Sequence, residues 1–130
     1  MLCTDASIAL TTTVRSADYP IGSQPILGLT VTNKGNASCV RDVSGALQVF
    51  TVYNAKQQRV WSTVDCFPGQ GSEARMLDPG GRAHYDIKWA GTSSHPGCAG
   101  ERVPVPTGAY TAVARLGKLT AAPIRFNITD

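Results

Sequence analysis

Two turn-punctuated segments constrain this chain more than any other part of it: Leu77-Asp-Pro-Gly-Gly-Arg-Ala-His-Tyr-Asp-Ile-Lys-Trp89 and Val103-Pro-Val-Pro-Thr-Gly-Ala-Tyr-Thr-Ala-Val-Ala-Arg-Leu116. Each is a Pro/Gly turn followed by a strand-like run. In the first, Ala83, Tyr85, Ile87 and Trp89 fall on one face, with His84, Asp86 and Lys88 on the other. A half-buried antiparallel strand needs that period of two, because its successive side chains point to opposite sides of the sheet. No stretch of the chain carries the 3.6-residue apolar period of a helix. Charged residues make up only 16% of the 130, and the 13 glycines and 8 prolines supply turns rather than helix interiors.

The same reading predicts strands over Ser7–Arg15, Pro25–Asn33, Ala46–Tyr53, Gln57–Val64, Ala74–Leu77, Arg82–Trp89, Gly108–Leu116 and Leu119–Ile128. Asn33-Lys-Gly-Asn36, Asn54-Ala-Lys56, Asp78-Pro-Gly-Gly81 and Gly117-Lys118 are the turns between them, and Ala90–Pro106 is a long Gly/Pro/Ser-rich loop. Short strands at this regular spacing in one chain of this length give an all-β, immunoglobulin-like antiparallel β-sandwich of seven to eight strands over residues 1–130. Trp61, Tyr85, Trp89, Tyr110 and Phe126 are expected in its core. Tyr110, just after Pro106-Thr-Gly108, is placed for a tyrosine-corner hydrogen bond.

Four cysteines decide the compartment. Cys3, Cys39, Cys66 and Cys98 lie about thirty residues apart, without the Cys-x2-Cys spacing of zinc sites, so an even count reads as two disulfides and an oxidising location. Tracing the strands up and down brings all four cysteines to one end of the sandwich. The pairing expected is Cys3–Cys39 and Cys66–Cys98, and the proximity of the four sulfurs leaves the alternative pairings open. Met1-Leu2-Cys3-Thr4-Asp5 has no charged segment, apolar stretch or cleavage site. An exported domain opening this way is expected to have its cleaved signal, lipid anchor or membrane helix outside these residues. Met1 is then an added start and residues 1–6 a flexible opening.

The succession Leu29-Thr-Val-Thr-Asn-Lys-Gly35, Val49-Phe-Thr-Val-Tyr-Asn54, Arg59-Val-Trp61, Leu77-Asp-Pro-Gly80, Tyr85, Trp89 and Val105-Pro-Thr-Gly-Ala-Tyr110 resembles the intracellular proteinase inhibitor (BsuPI-like) family over Ile26–Leu116. The resemblance implies an immunoglobulin-like sandwich and, for activity, proteinase inhibition. The family's namesake is cytoplasmic, whereas this chain carries four disulfide-type cysteines, so the fit is to an exported module of a bacterial envelope protein.

Enzymatic chemistry finds no foothold in the sequence. His84 belongs to the outward face of a strand, His95 to the turn Ser94-His-Pro-Gly97, and neither has a nucleophile motif beside it. His95, Asp65, Cys66 and Cys98 could ligate a metal only if the sulfurs were reduced, so no metal and no cofactor is expected. The formal charge of +3 comes from scattered basic residues without interleaved aromatics, which argues against nucleic acid. What remains is the loop end. Asp65–Ser72 and Gly91–Val105, joined by a Cys66–Cys98 bridge, carry Phe67, Gln70, Glu73, His95, Glu101 and Arg102, and a stapled loop loses less entropy on docking. The function expected is a non-enzymatic, extracytoplasmic protein-interaction module contacting another envelope or membrane protein, a protease among the candidates. Proteinase inhibition through the held loop and binding of cell-wall glycan are the alternatives.

Overall fold

The computed structural model describes all 130 residues. Eleven strands form: β1 (Ile8–Val14), β2 (Asp18–Pro20), β3 (Ile26–Asn33), β4 (Cys39–Asp42), β5 (Gln48–Asn54), β6 (Arg59–Ser62), β7 (Ala74–Leu77), β8 (Arg82–Lys88), β9 (Gly108–Leu116), β10 (Leu119–Thr120) and β11 (Ile124–Thr129). One sheet runs β1-β3-β8; the second runs β2-β11-β9-β5-β6, with β10 on β9; β4 pairs β7 separately. Counting the seven principal strands β1, β3, β5, β6, β8, β9 and β11 in order, the sheets read first-second-fifth and seventh-sixth-third-fourth. That is the crossover pattern of an immunoglobulin-like sandwich.

The core is what the alternation dictates. Leu27, Leu29 and Val31 from β3, Ala83 from β8, Phe50 and Val52 from β5, Tyr110, Ala112, Ala114 and Leu116 from β9, and Phe126 and Ile128 from β11 are buried between the sheets. Trp89, at the end of β8, is fully enclosed and sits 5.6 Å from Trp61, 6.2 Å from Tyr110 and 6.3 Å from Phe126, ring centre to ring centre. Of the aromatics expected inside, only Tyr85 stays half-buried, because its hydroxyl reaches out to Glu73. The Tyr110 hydroxyl donates to the carbonyl of Pro106, which makes the tyrosine corner.

β7 forms over the predicted Ala74–Leu77, while β2 and β4 arise where the sequence reads as connection. The β3/β8 ladder does not stop at Asn33: it passes into β4/β7 with the same antiparallel sense, Cys39 opposite Leu77 and Asp42 opposite Ala74. Asn33 carries the ladder across the break. Its buried amide donates to the carbonyls of Ala37 and Leu77 (2.8 and 2.9 Å) and accepts from Gly35 N–H. Near the C-terminus the single expected strand splits into β10 and β11 around Pro123, which has no N–H for the ladder. There the N–H of Ala114 is satisfied instead by Thr12 Oγ1 of the opposite sheet, 3.1 Å away. The short β2, between the first two predicted strands, pairs in parallel with β11, so the chain entering from β1 crosses from one sheet to the other.

The disulfides are Cys3–Cys39 and Cys66–Cys98, as expected. They do not share an end of the sandwich. The first lies beside the Ile8/Asn33 end of the β1/β3 ladder; Cys66 lies beside Lys88 and Ala90, and Lys88 pairs with Ile26 at the other end of β3. Seven residues of strand, about 23 Å at ~3.3 Å per residue, separate those ends. Up-and-down tracing failed because β7 and β8 run in the same direction against β4 and β3, so the two count as one pass and Cys98 follows β8 to the opposite end. Residues 1–6 are likewise not a flexible opening. Cys3 is buried and bridged, its N–H donates to Val40 O, and Val40 N–H donates to Met1 O.

Candidate functional site

The sequence from Thr63 to Gly69 leaves β6 and must cross to β7, past the open side between the edge strands β6 and β8. Asp65 anchors this crossing. With 1% of its side chain exposed, it accepts from Arg59 Nη2 and from the hydroxyl of Ser94. Burial by itself would raise its pKa, but the hydrogen bonds and charge of Arg59 and the bond from Ser94 outweigh that and hold the carboxyl below the usual aspartate range. Ser94 also caps the edge of β6: its N–H donates to Val60 O (2.9 Å), and its Oγ accepts from Ser62 N–H (3.2 Å).

The long connection Ala90–Pro106 is more ordered than its composition suggests. Ser93 N–H donates to Val103 O at 2.8 Å, Val105 N–H to Gly91 O at 2.9 Å, and Val103 N–H to Ser93 Oγ at 3.2 Å, so the segment doubles back like a hairpin. Its tip is a short 3₁₀ turn, Pro96–Cys98, closed by Cys98 N–H donating to His95 O. The Cys66–Cys98 bridge, with Cα atoms 4.6 Å apart, fastens this tip to the β6–β7 crossing. Farther along the crossing, Gly69 passes so close to Gly45 that a Cβ there would lie 2.1 Å from the Gly45 carbonyl oxygen.

Between β6, β8 and the bridge lies a cleft of about 320 Å³ lined by Trp61, Cys66, Phe67, Ile87, Lys88 and Arg102, with Ser62, Thr63 and Ala90 completing it. Phe67 stands at its rim with 79% of its surface exposed, in a protein whose other aromatics are mostly enclosed. The two cations are unpaired: neither Lys88 nor Arg102 takes part in an ion pair, and Arg102 makes one long contact, Nε to Ser93 O at 3.4 Å. The cleft therefore offers an apolar wall, an exposed ring and two positive charges.

Of the six loop residues predicted from sequence, the structure brings only Phe67 and Arg102 to this cleft. His95 and Glu101 are exposed on the bridged tip. Gln70 lies by Gly45. Glu73 belongs to another neighbourhood, where its carboxylate accepts from the Tyr85 hydroxyl and its backbone N–H donates to Asp42. Burial and that hydrogen bond raise the Tyr85 pKa, while backbone bonds from Ser44 and Glu73 lower that of Asp42. Sequence reasoning missed Trp61, Ile87 and Lys88 as lining residues. They follow only once β6 and β8 are known to face each other across the open side.

The outer face of β1-β3-β8 holds a second polar group. His84 lies 2.7 Å from Thr30 Oγ1 through Nδ1 and 2.8 Å from Asp86 Oδ1 through Nε2, and Asp86 pairs with Arg15 at 2.7 Å. These side chains fold over Gly28, where a Cβ would come 2.2 Å from Thr13 Oγ1. The group reads as a tie across the sheet on a solvated face. No helix in the molecule is long and apolar enough to cross a membrane.

No family model and no curated protein matches the chain. Solved structures do. A β-glucosidase from Erythrobacter marinus superimposes with a TM-score of 0.57 at 12% identity, over 95% of this chain and 15% of its own. A β-glucosidase from Listeria innocua gives 0.55 at 11%, over 95% and 16%. An alkylpurine DNA glycosylase from Pseudomonas fluorescens gives 0.53 at 9%, over 95% and 31%. The chain thus spans a small part of each, and at such identity the likeness is one of fold: a β-sandwich that larger proteins also contain.

Proposed function

We propose that this chain is a non-enzymatic protein-interaction module working outside the cytoplasm, on a secreted or membrane-anchored protein of the bacterial envelope, and that it contacts its partner through the bridged cleft. One observation carries the reading: exposed Phe67 and the unpaired Lys88 and Arg102 gather around an apolar cleft whose border is stapled by Cys66–Cys98. Two disulfides mark an oxidising environment, and an exposed aromatic ring flanked by cations is the composition of an interface hot spot. The BsuPI-like resemblance and the presentation of Phe67 on a bridged loop favour a second reading, proteinase inhibition.

Two measurements separate the readings. A photo-crosslinking residue at position 67 is expected to join the module to a discrete envelope polypeptide, while the same residue at Arg125, on the outer face of the other sheet, does not. Titration against subtilisin-like and trypsin-like proteases is expected to leave their activity flat. A stoichiometric endpoint with the loop uncut would replace the interaction reading by inhibition.

A further inference from the structure

The two strands that border the cleft differ in how their edges are finished. The edge of β6 is closed by Ser94, which bonds both Val60 and Ser62. The edge of β8 is bare. Trp89 N–H donates to Pro25 O and Asn33 N–H to Gly81 O, so in the β3/β8 register the odd-numbered residues of β8 exchange bonds with β3. The N–H and C=O groups of His84, Asp86 and Lys88 consequently point away from the sheet, and no backbone or side-chain group of the protein bonds them. An unpaired edge of this kind is a template for another strand. It runs directly into the cleft, whose wall includes Ile87, Lys88 and Ala90.

Charge selects the occupant. Arg82 and Lys88 stand at the two ends of the bare edge and Arg102 across the cleft, none of them ion-paired. The carboxylates nearby are engaged: Asp86 by Arg15 and His84, and Glu73 by the Tyr85 hydroxyl. Glu101 is exposed and forms no ion pair with the neighbouring Arg102. We infer that β8 receives an extended acidic segment of a partner protein as an added strand, its backbone pairing with His84, Asp86 and Lys88 and a carboxylate seated between Lys88 and Arg102. This inference rests on the interaction-module reading and gives its ligand a conformation and a charge.

The test uses the oxidised protein and a library of seven-residue peptides of alternating valine and threonine, carrying one acidic, one basic or one neutral residue at each position in turn. Acidic members are expected to bind roughly tenfold more tightly than basic ones, and the double variant Lys88→Glu/Arg102→Glu to reverse that order. Amide exchange supplies the geometric readout. In the free protein the N–H groups of His84, Asp86 and Lys88 are expected to exchange freely and those of Tyr85 and Ile87 to be protected. The acidic peptide is expected to slow the first three about tenfold or more. Equal binding of acidic and basic peptides, no binding, or unprotected amides in the complex each overturns the inference. Protection that grows with protein concentration in the absence of peptide also overturns it, by making a second copy of the chain the occupant. Crosslinking at position 67 that persists with those amides unprotected would overturn strand addition alone and leave the module reading intact.

Discussion

Removing the disulfides one at a time tests how this sandwich is stabilised. The bridged cysteines are 36 residues apart in Cys3–Cys39 and 32 apart in Cys66–Cys98, and the two loops do not overlap in sequence. On the chain-entropy account, the cost of deleting a bridge depends on the length of chain it closes in the unfolded state. Loops of these lengths give about 3.8 and about 3.7 kcal/mol at 25 °C. Because the loops are disjoint, the costs should add, so Cys3→Ala/Cys39→Ala combined with Cys66→Ala/Cys98→Ala loses about 7.5 kcal/mol, comparable to the whole stability of many domains. An unfolding entropy of ~2.1 cal/mol/K per residue corresponds to ~0.27 kcal/mol/K here, and each deletion then lowers Tm by about 14 °C. Urea unfolding followed by the fluorescence of the enclosed Trp61 and Trp89 measures both costs, with the m-value expected to rise as the unfolded chain expands. A difference of more than ~1.5 kcal/mol between the two deletions would refute the reasoning and place the effect in native contacts, for example the Asp65–Ser94 tie beside one bridge and not the other.

Four other substitutions probe features that contribute independently. Asn33→Asp keeps the shape but turns a carboxylate toward two carbonyl oxygens in a fully buried site, and is expected to cost about 3 kcal/mol or more in urea unfolding. Asp65→Asn removes the partner of Arg59 and weakens the hold on Ser94. Because the Asp65 carboxyl is depressed in the folded state, its contribution is present above the ordinary aspartate pKa of about 4 and lost as pH falls through the lower folded value; wild type should destabilise on acidification over that range, and Asp65→Asn should flatten the slope. Tyr110→Phe keeps the ring among Trp89 and Phe126 but loses the bond to Pro106, for about 1 kcal/mol and a Tm decrease of about 4 °C by calorimetry. Gly69→Ala cannot be accommodated against the Gly45 carbonyl, so the crossing must shift; faster proteolysis within residues 66–73 at little change in global stability is the expected signature.

What was legible in the sequence is what alternation and turn chemistry encode locally. The inward set Ala83, Ile87 and Trp89 and the Tyr110 corner could be read because each depends on one strand or one turn; the two cysteine pairings came out as expected although the trace behind them set all four sulfurs at one end. The strand Ala74–Leu77 was readable, but β4 and its pairing with that strand were not, since the extension hangs on one buried asparagine whose bonds span 44 residues of sequence. Nor was the cleft: Phe67 and Arg102 were recognisable as loop residues, but Trp61, Ile87 and Lys88 join them only through the spacing of two sheets. Gln70 and Glu73 were grouped with Phe67 by proximity along the chain, and the close approach of Gly69 to Gly45 carries them away from it.

The parallel pairing of β2 with β11 bears on how the protein responds to force. Asn127, Ile128 and Thr129 lie beside Asp18, Tyr19 and Pro20 in the same direction. Tension between the two ends of the chain would draw β11 forward against both of its neighbours, β2 and β9, loading those hydrogen bonds in shear. The Cys3–Cys39 bridge carries the amino-terminal pull directly to β4, so β2, inside the bridged loop, is not itself drawn out. A module loaded between its ends would thus give way first at β11, the strand held along both edges by hydrogen bonds alone.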